Sequence, residues 1–139
     1  MILFIDDEPT TDLFFDELQG RGLPIRKFRS VDEAWEYLAK TNKPLDLAIV
    51  DVMMPPGELF SKDDVSDGLH TGLSFYKLIR QKYETIPVYL LTNLTQSTVA
   101  RSVDGDPNAY IAVKTDIFYD DFAEQVEDLY NKSRNYGGK

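Results

Sequence analysis

The sequence predicts an α/β fold, a parallel sheet with helices on both faces. Short apolar runs of strand length recur five times along the 139 residues. A helix-period pattern follows each run, and glycine and proline punctuate the junctions. The strongest run, Leu45–Val50, ends abruptly in Asp51 and is followed by Pro55 and Pro56. A run with an Ile49-Val50 pair reads as a strand buried on both faces, and the prolines force the chain out of the sheet just beyond it. Alternation of this kind implies right-handed crossovers between parallel strands.

Each element has its own local reason. Ile2–Ile5 is an apolar strand that meets Asp6-Asp7-Glu8-Pro9. Thr10 or Thr11 then caps a helix with Leu13, Phe14 and Leu18 as its apolar stripe, closed by Gly20 and Gly22. Ile25–Phe28 is a second strand, and Arg26 and Lys27 suit it to an edge. Ser30 and Glu33 form a capping-box pattern for a helix with Val31, Ala34, Trp35 and Leu38 inward. After the Asp46–Val50 strand the period is lost from Met54 to about Asp67, longer than the few residues usual between a strand and its helix. Leu69, Leu73, Tyr76 and Ile79 mark a third helix ending near Lys82. Val88–Leu91 is the fourth strand, and Thr95 or Ser97 opens a short polar helix ending near Asp104-Gly105. Ala109–Val113 is the fifth strand, ending in Lys114. Asp116 caps a last helix with Phe118, Phe122, Val126 and Leu129 inward. The domain is expected to span residues 1–134, with 54–67 an inserted loop and 135–139 a frayed tail.

Composition narrows the function. The net charge of −9 disfavours nucleic acid and anionic membrane as direct partners and favours a cation or a basic patch on another protein. No apolar run approaches the roughly 18 residues of a membrane span. No leader pattern is present, and the absence of cysteine fits a cytoplasmic protein.

In a parallel sheet all strand C-termini share one edge. Here that edge carries Asp6 and Asp7, Asp51, Thr92 and Lys114. Carboxylates gathered there resist ionising together unless a cation sits among them, and a hard divalent ion, Mg²⁺, answers that need. Lys114 and Thr92 add a fixed positive charge and a hydroxyl suited to phosphoryl oxygens. The Asp51 carboxylate can itself attack phosphorus. Taken singly, each residue could simply solubilise a loop or cap a helix; it is the joint placement at strand ends that points to phosphoryl chemistry.

Read together, Ile2-Leu3-Phe4-Ile5-Asp6-Asp7-Glu8-Pro9, Asp51-Val52-Met53-Met54-Pro55, Leu91-Thr92 and Lys114 resemble the receiver domain of two-component response regulators, across essentially the whole chain. The resemblance implies a flavodoxin-like, doubly wound five-stranded sheet of order 2-1-3-4-5. It implies phosphorylation of Asp51 by a histidine kinase or phosphotransfer protein. Mg²⁺ would be held by Asp7, Asp51 and the backbone carbonyl of Met53, with Asp6 acting through water. Lys114 would pair with the phosphoryl group, and Thr92 would swing towards it as the switch.

Four features depart from that pattern. Thr115 follows Lys114 where the family usually has a cis proline. Ile111 stands where the family's aromatic switch residue lies, with Tyr110 one position earlier and so on the other face of the strand. Asn93 replaces the small residue usual after the switch threonine, and is expected to tune dephosphorylation. The 54–67 loop is either a solvated insertion or a lid that recognises partners. Its Asp63, Asp67 and Gly68 echo a calcium loop, but Val65 and Ser74 fall where oxygen ligands are needed.

The lone His70 reads as a surface helix cap, and Asp120, Asp121, Glu124, Glu127 and Asp128 as a solvated helix face or an output surface for a basic partner. The expected function is a stand-alone phospho-acceptor that signals through a protein contact in trans and is not a classical enzyme. The alternative is a phosphorylation-independent interaction domain of the same fold. A haloacid-dehalogenase-like phosphatase is disfavoured, because Asp51-Val52-Met53 lacks the second acid of an Asp-x-Asp motif.

Overall fold

The computed structural model describes residues 1–7, 12–61, 70–93 and 97–137. Ten elements alternate along the chain: β1 (Ile2–Ile5), α1 (Asp12–Gly20), β2 (Ile25–Phe28), α2 (Val31–Lys40), β3 (Leu47–Asp51), α3 (Thr71–Lys82), β4 (Val88–Thr92), α4 (Ser97–Ser102), β5 (Ala109–Val113) and α5 (Tyr119–Gly137). The five strands form one sheet in the order β2-β1-β3-β4-β5, and every pairing is parallel. This is the flavodoxin-like topology, with β2 at an edge as its charged residues suggest.

Alternate side chains of each strand feed two separate cores. Leu3, Ile5, Ala48, Val50, Val88 and Leu90 pack under α2, α3 and α4. Ile2, Phe4, Leu47, Ile49, Tyr89, Leu91 and Ala112 pack under α1 and α5. Strands β1, β3 and β4 are buried on both faces, which explains their unbroken apolar runs. Ser30 caps α2 as its sequence suggests, its hydroxyl accepting the Glu33 amide at 3.2 Å.

Several local expectations are corrected. Leu13 is half exposed, and Phe15 takes the inward place against Phe4, their rings 5.7 Å apart. The cap expected at Thr10 or Thr11 lies outside the described residues. β3 and β4 each run one residue further than expected, so Asp51 and Thr92 are themselves strand residues. Phe118 is exposed because α5 begins only at Tyr119. The Phe118 carbonyl receives the Phe122 amide from outside the helix, and Asp116 turns back to Val113 instead of capping. α5 runs on to Gly137, so 135–137 form its last turn where a tail was expected. His70 precedes α3, but its side chain makes no capping hydrogen bond.

The start of the long loop is built rather than merely solvated. The Asp32 carboxylate, in the first turn of α2, accepts the amides of Glu58 at 2.9 Å and Leu59 at 3.0 Å. Leu59 and Phe60 pack against the α2/α3 core. Gly57 has φ of 62°, and a Cβ there would lie 2.7 Å from the Asp32 Oδ1. Residues 62–69, including Lys62, Asp63, Asp64, Asp67 and Gly68, lie outside the described residues.

Candidate functional site

Parallel pairing brings the ends of β1 and β3 side by side, with Ile5 opposite Val50. Asp6 and Asp51 are therefore next to each other where the sheet stops, and both are fully buried. Asp7 completes a group of three carboxylates, each offering an oxygen within 4.8 Å of the others. Lys114 enters from the end of β5 and spans the cluster. Its Nζ lies 3.3 Å from Asp6 Oδ2 and 3.3 Å from Asp51 Oδ1, with the side chain only 6% exposed.

The electrostatics follow from this crowding. Burial, reinforced by the charge of Asp6 and opposed by Lys114, pushes the Asp51 carboxyl up to about 8. Lys114 thus faces two buried carboxylates with a single ammonium group. Among the described residues neither Asp51 carboxylate oxygen has a hydrogen bond of good geometry, Lys114 meeting it only as an ion pair. Oxygen that is buried and lacks a donor is costly to leave so, and an added cation or hydrogen-bonding ligand relieves that cost. The donor set is all oxygen, which suits a hard divalent ion such as Mg²⁺.

Thr92 is buried at the end of β4, next to β3. Its carbonyl accepts the Lys114 amide at 2.8 Å, and the neighbouring Leu91 carbonyl accepts the Val52 amide at 2.9 Å. These two bonds extend the sheet pairing to its last rung and aim β3 and β5 at the same edge. Met53 lies two residues past Asp51 and is half-buried. Asn93, also half-buried, continues from Thr92.

Two departures from the family pattern acquire a physical form. Tyr110 stacks on Tyr89, ring centroids 5.7 Å apart, and is packed against the α1/α5 core. Ile111, on the opposite face, is 37% exposed. At Lys114-Thr115 the chain turns through the Asp116 amide and Val113 carbonyl, and no cis peptide bond occurs among the described residues.

Three contributors have no clear sequence signal. Gly72 abuts the end of β3 so closely that a Cβ would fall on the Asp51 carbonyl oxygen and within 2.6 Å of Val52 Cα. Thr71, fully buried, donates its hydroxyl to the Met54 carbonyl at 2.5 Å. Lys27 lies over the Phe15 ring at 5.7 Å; burial pulls its ammonium below the usual range, while the charge of Asp6 opposes this. In the sequence Lys27 reads only as a break in an edge strand.

Known structures share this arrangement of strands and helices. The chemotaxis protein CheY4 of Vibrio cholerae is 21% identical, with 92% of this chain and 96% of that chain covered and a TM-score of 0.70. The response regulator TrrA of Thermotoga maritima, solved in complex with Mg²⁺ and BeF, is 27% identical over the same shares, with a TM-score of 0.65. A CheY-like receiver domain of Methanospirillum hungatei is 15% identical, covers 97% of this chain and 96% of that chain, and gives a TM-score of 0.73. No family model and no curated protein matches the chain. Among the described residues no helix is long and apolar enough to cross a membrane. The resemblance seen in the sequence is thus a resemblance of structure: the chain has the fold of a CheY-like response-regulator receiver domain.

Proposed function

We propose that the chain is a receiver that accepts a phosphoryl group on Asp51 from a histidine kinase or phosphotransfer protein and signals through a protein contact. The observation that supports this most is the buried Asp51 carboxylate, which lies 3.3 Å from Lys114 at the sheet edge and has no well-formed hydrogen bond among the described residues. In the transfer, an Asp51 oxygen forms a bond to phosphorus as the bond from phosphorus to the donor's imidazole nitrogen breaks. The electron pair leaves with the imidazole, and Asp51 becomes an acyl phosphate. Lys114 would meet the added phosphoryl charge, and the Thr92 hydroxyl would turn towards it. Asp6, Asp7, Asp51 and the Met53 carbonyl would hold Mg²⁺, which when bound would neutralise charge on the phosphoryl oxygens. On this reading the protein is a signalling domain of the cytoplasm, not a classical enzyme.

A phosphorylation-independent interaction domain is the second reading. The observation favouring it is Tyr110, held against Tyr89 on the face away from Ile111, which leaves no aromatic at the switch position. Incubation with Mg²⁺ and acetyl phosphate, followed by mass spectrometry, separates the two. Gain of one phosphoryl group on Asp51, lost in Asp51→Asn, is the expected result. No adduct on the wild type would support the interaction domain.

A further inference from the structure

We infer that Thr71, through its buried hydroxyl, is a positioning residue that holds the backbone carbonyl of Met53 ready as a metal ligand. This rests on the Mg²⁺ site proposed above. A main-chain ligand cannot be aimed by its own side chain, so its orientation must come from the peptides on either side. Here both are pinned by the first two residues of α3. The Gly72 amide donates to the Val52 carbonyl at 2.9 Å, and the Thr71 hydroxyl donates to the Met54 carbonyl at 2.5 Å. Among the described residues the Met53 carbonyl, between those two, receives no hydrogen bond.

The remaining freedom of this stretch is removed in two further ways. Val52 and Met54 are buried in the α2/α3 core while Met53 is only half-buried, the alternation of an extended chain. Pro55 restricts Met54 to extended conformations and supplies no amide proton that could compete for a carbonyl. Consequently the Met53 peptide is bracketed, its oxygen left for a ligand from outside the chain. Among the described residues Thr71 makes the only side-chain bond in this bracket, and being fully buried it has no solvent to replace that partner.

The test is calorimetric titration of Mg²⁺ into metal-free wild type, Thr71→Val and Thr71→Ser, with thermal melts in chelator alongside. Positioning predicts that Thr71→Val weakens Mg²⁺ binding about tenfold while Thr71→Ser restores it, as for other groups that orient metal ligands. A lowered melting temperature with unchanged Mg²⁺ affinity in Thr71→Val would make the hydroxyl merely structural and overturn the inference. Wild type that binds no Mg²⁺ would instead overturn the metal site itself. If Thr71→Val does not fold, wild type and Thr71→Ala labelled with carbonyl-¹³C methionine decide the matter. Mg²⁺ should move the Met53 carbonyl resonance in wild type and require about tenfold more Mg²⁺ to do so in Thr71→Ala; equal titrations would overturn the inference.

Discussion

Replacing Asp51 with asparagine should stabilise the metal-free protein, and by more the higher the pH. In the unfolded chain Asp51 ionises at its ordinary 3.8, whereas in the folded chain burial and Asp6 push it up to about 8. Between those values the folded chain keeps a proton that the unfolded chain has released. The contribution of this group to stability is therefore complete below pH 3.8 and is lost by the time the pH passes about 8. Each pH unit in that window costs about 1.4 kcal/mol, so the wild type has given up about 4 kcal/mol near neutral pH. Asparagine has almost the shape of the protonated acid and no charge to bury, so it escapes this loss. Urea denaturation of both proteins in chelator, from about pH 5 to about pH 8, measures the difference. The stability gap should widen steadily with pH, approaching a few kcal/mol at the top. A gap that stays constant would mean that Asp51 ionises alike in both states, and the view of it as a carboxylate strained by burial would be wrong.

Three other perturbations have definite outcomes. Gly72→Ala drives a Cβ into backbone at the end of β3, and should cost about 3 kcal/mol or more in urea denaturation. Asp32→Ala removes the acceptor for two loop amides; a loss of about 1–2 kcal/mol is expected, together with faster proteolytic cutting between residues 57 and 61, mapped by mass spectrometry. Asn93→Ala should change the lifetime of phosphorylated Asp51, followed by loss of the phosphoryl mass over time; an unchanged lifetime removes Asn93 from the dephosphorylation step.

The sheet was legible because its signals are local. Five apolar runs of strand length mark five strands to within one residue, and a run buried on both faces needs no tertiary information to be recognised. The acidic residues and Lys114 were legible for the same reason: parallel strands must end on one edge, so residues at strand ends meet. What escaped depends on contacts between distant segments. Nothing around Asp32 announces that it will bind amides 26 and 27 residues later. Thr71 and Gly72 look like ordinary helix-start residues until the end of β3 lies against them. Leu13 failed for a subtler cause: it neighbours the buried Phe14, and in a helix one step in sequence turns the side chain by about 100°, enough to move it from core to solvent. Phe118 failed because the helix starts one residue later, so the helical period does not reach it.

The bond from the Lys114 amide to the Thr92 carbonyl has a mechanical consequence. Since Thr92 still belongs to β4 and pairs with Val113, its backbone is tied to the strand beside it. An incoming anion can draw in the threonine hydroxyl only by turning the side chain about its own bonds; the strand itself is not free to follow. Whatever moves further must begin at Asn93, where the pairing ends. The sheet therefore behaves as a rigid chassis and Thr92 as its last fixed point, so that under the proposed function a signal would leave this edge as a small rotation before it becomes a displacement.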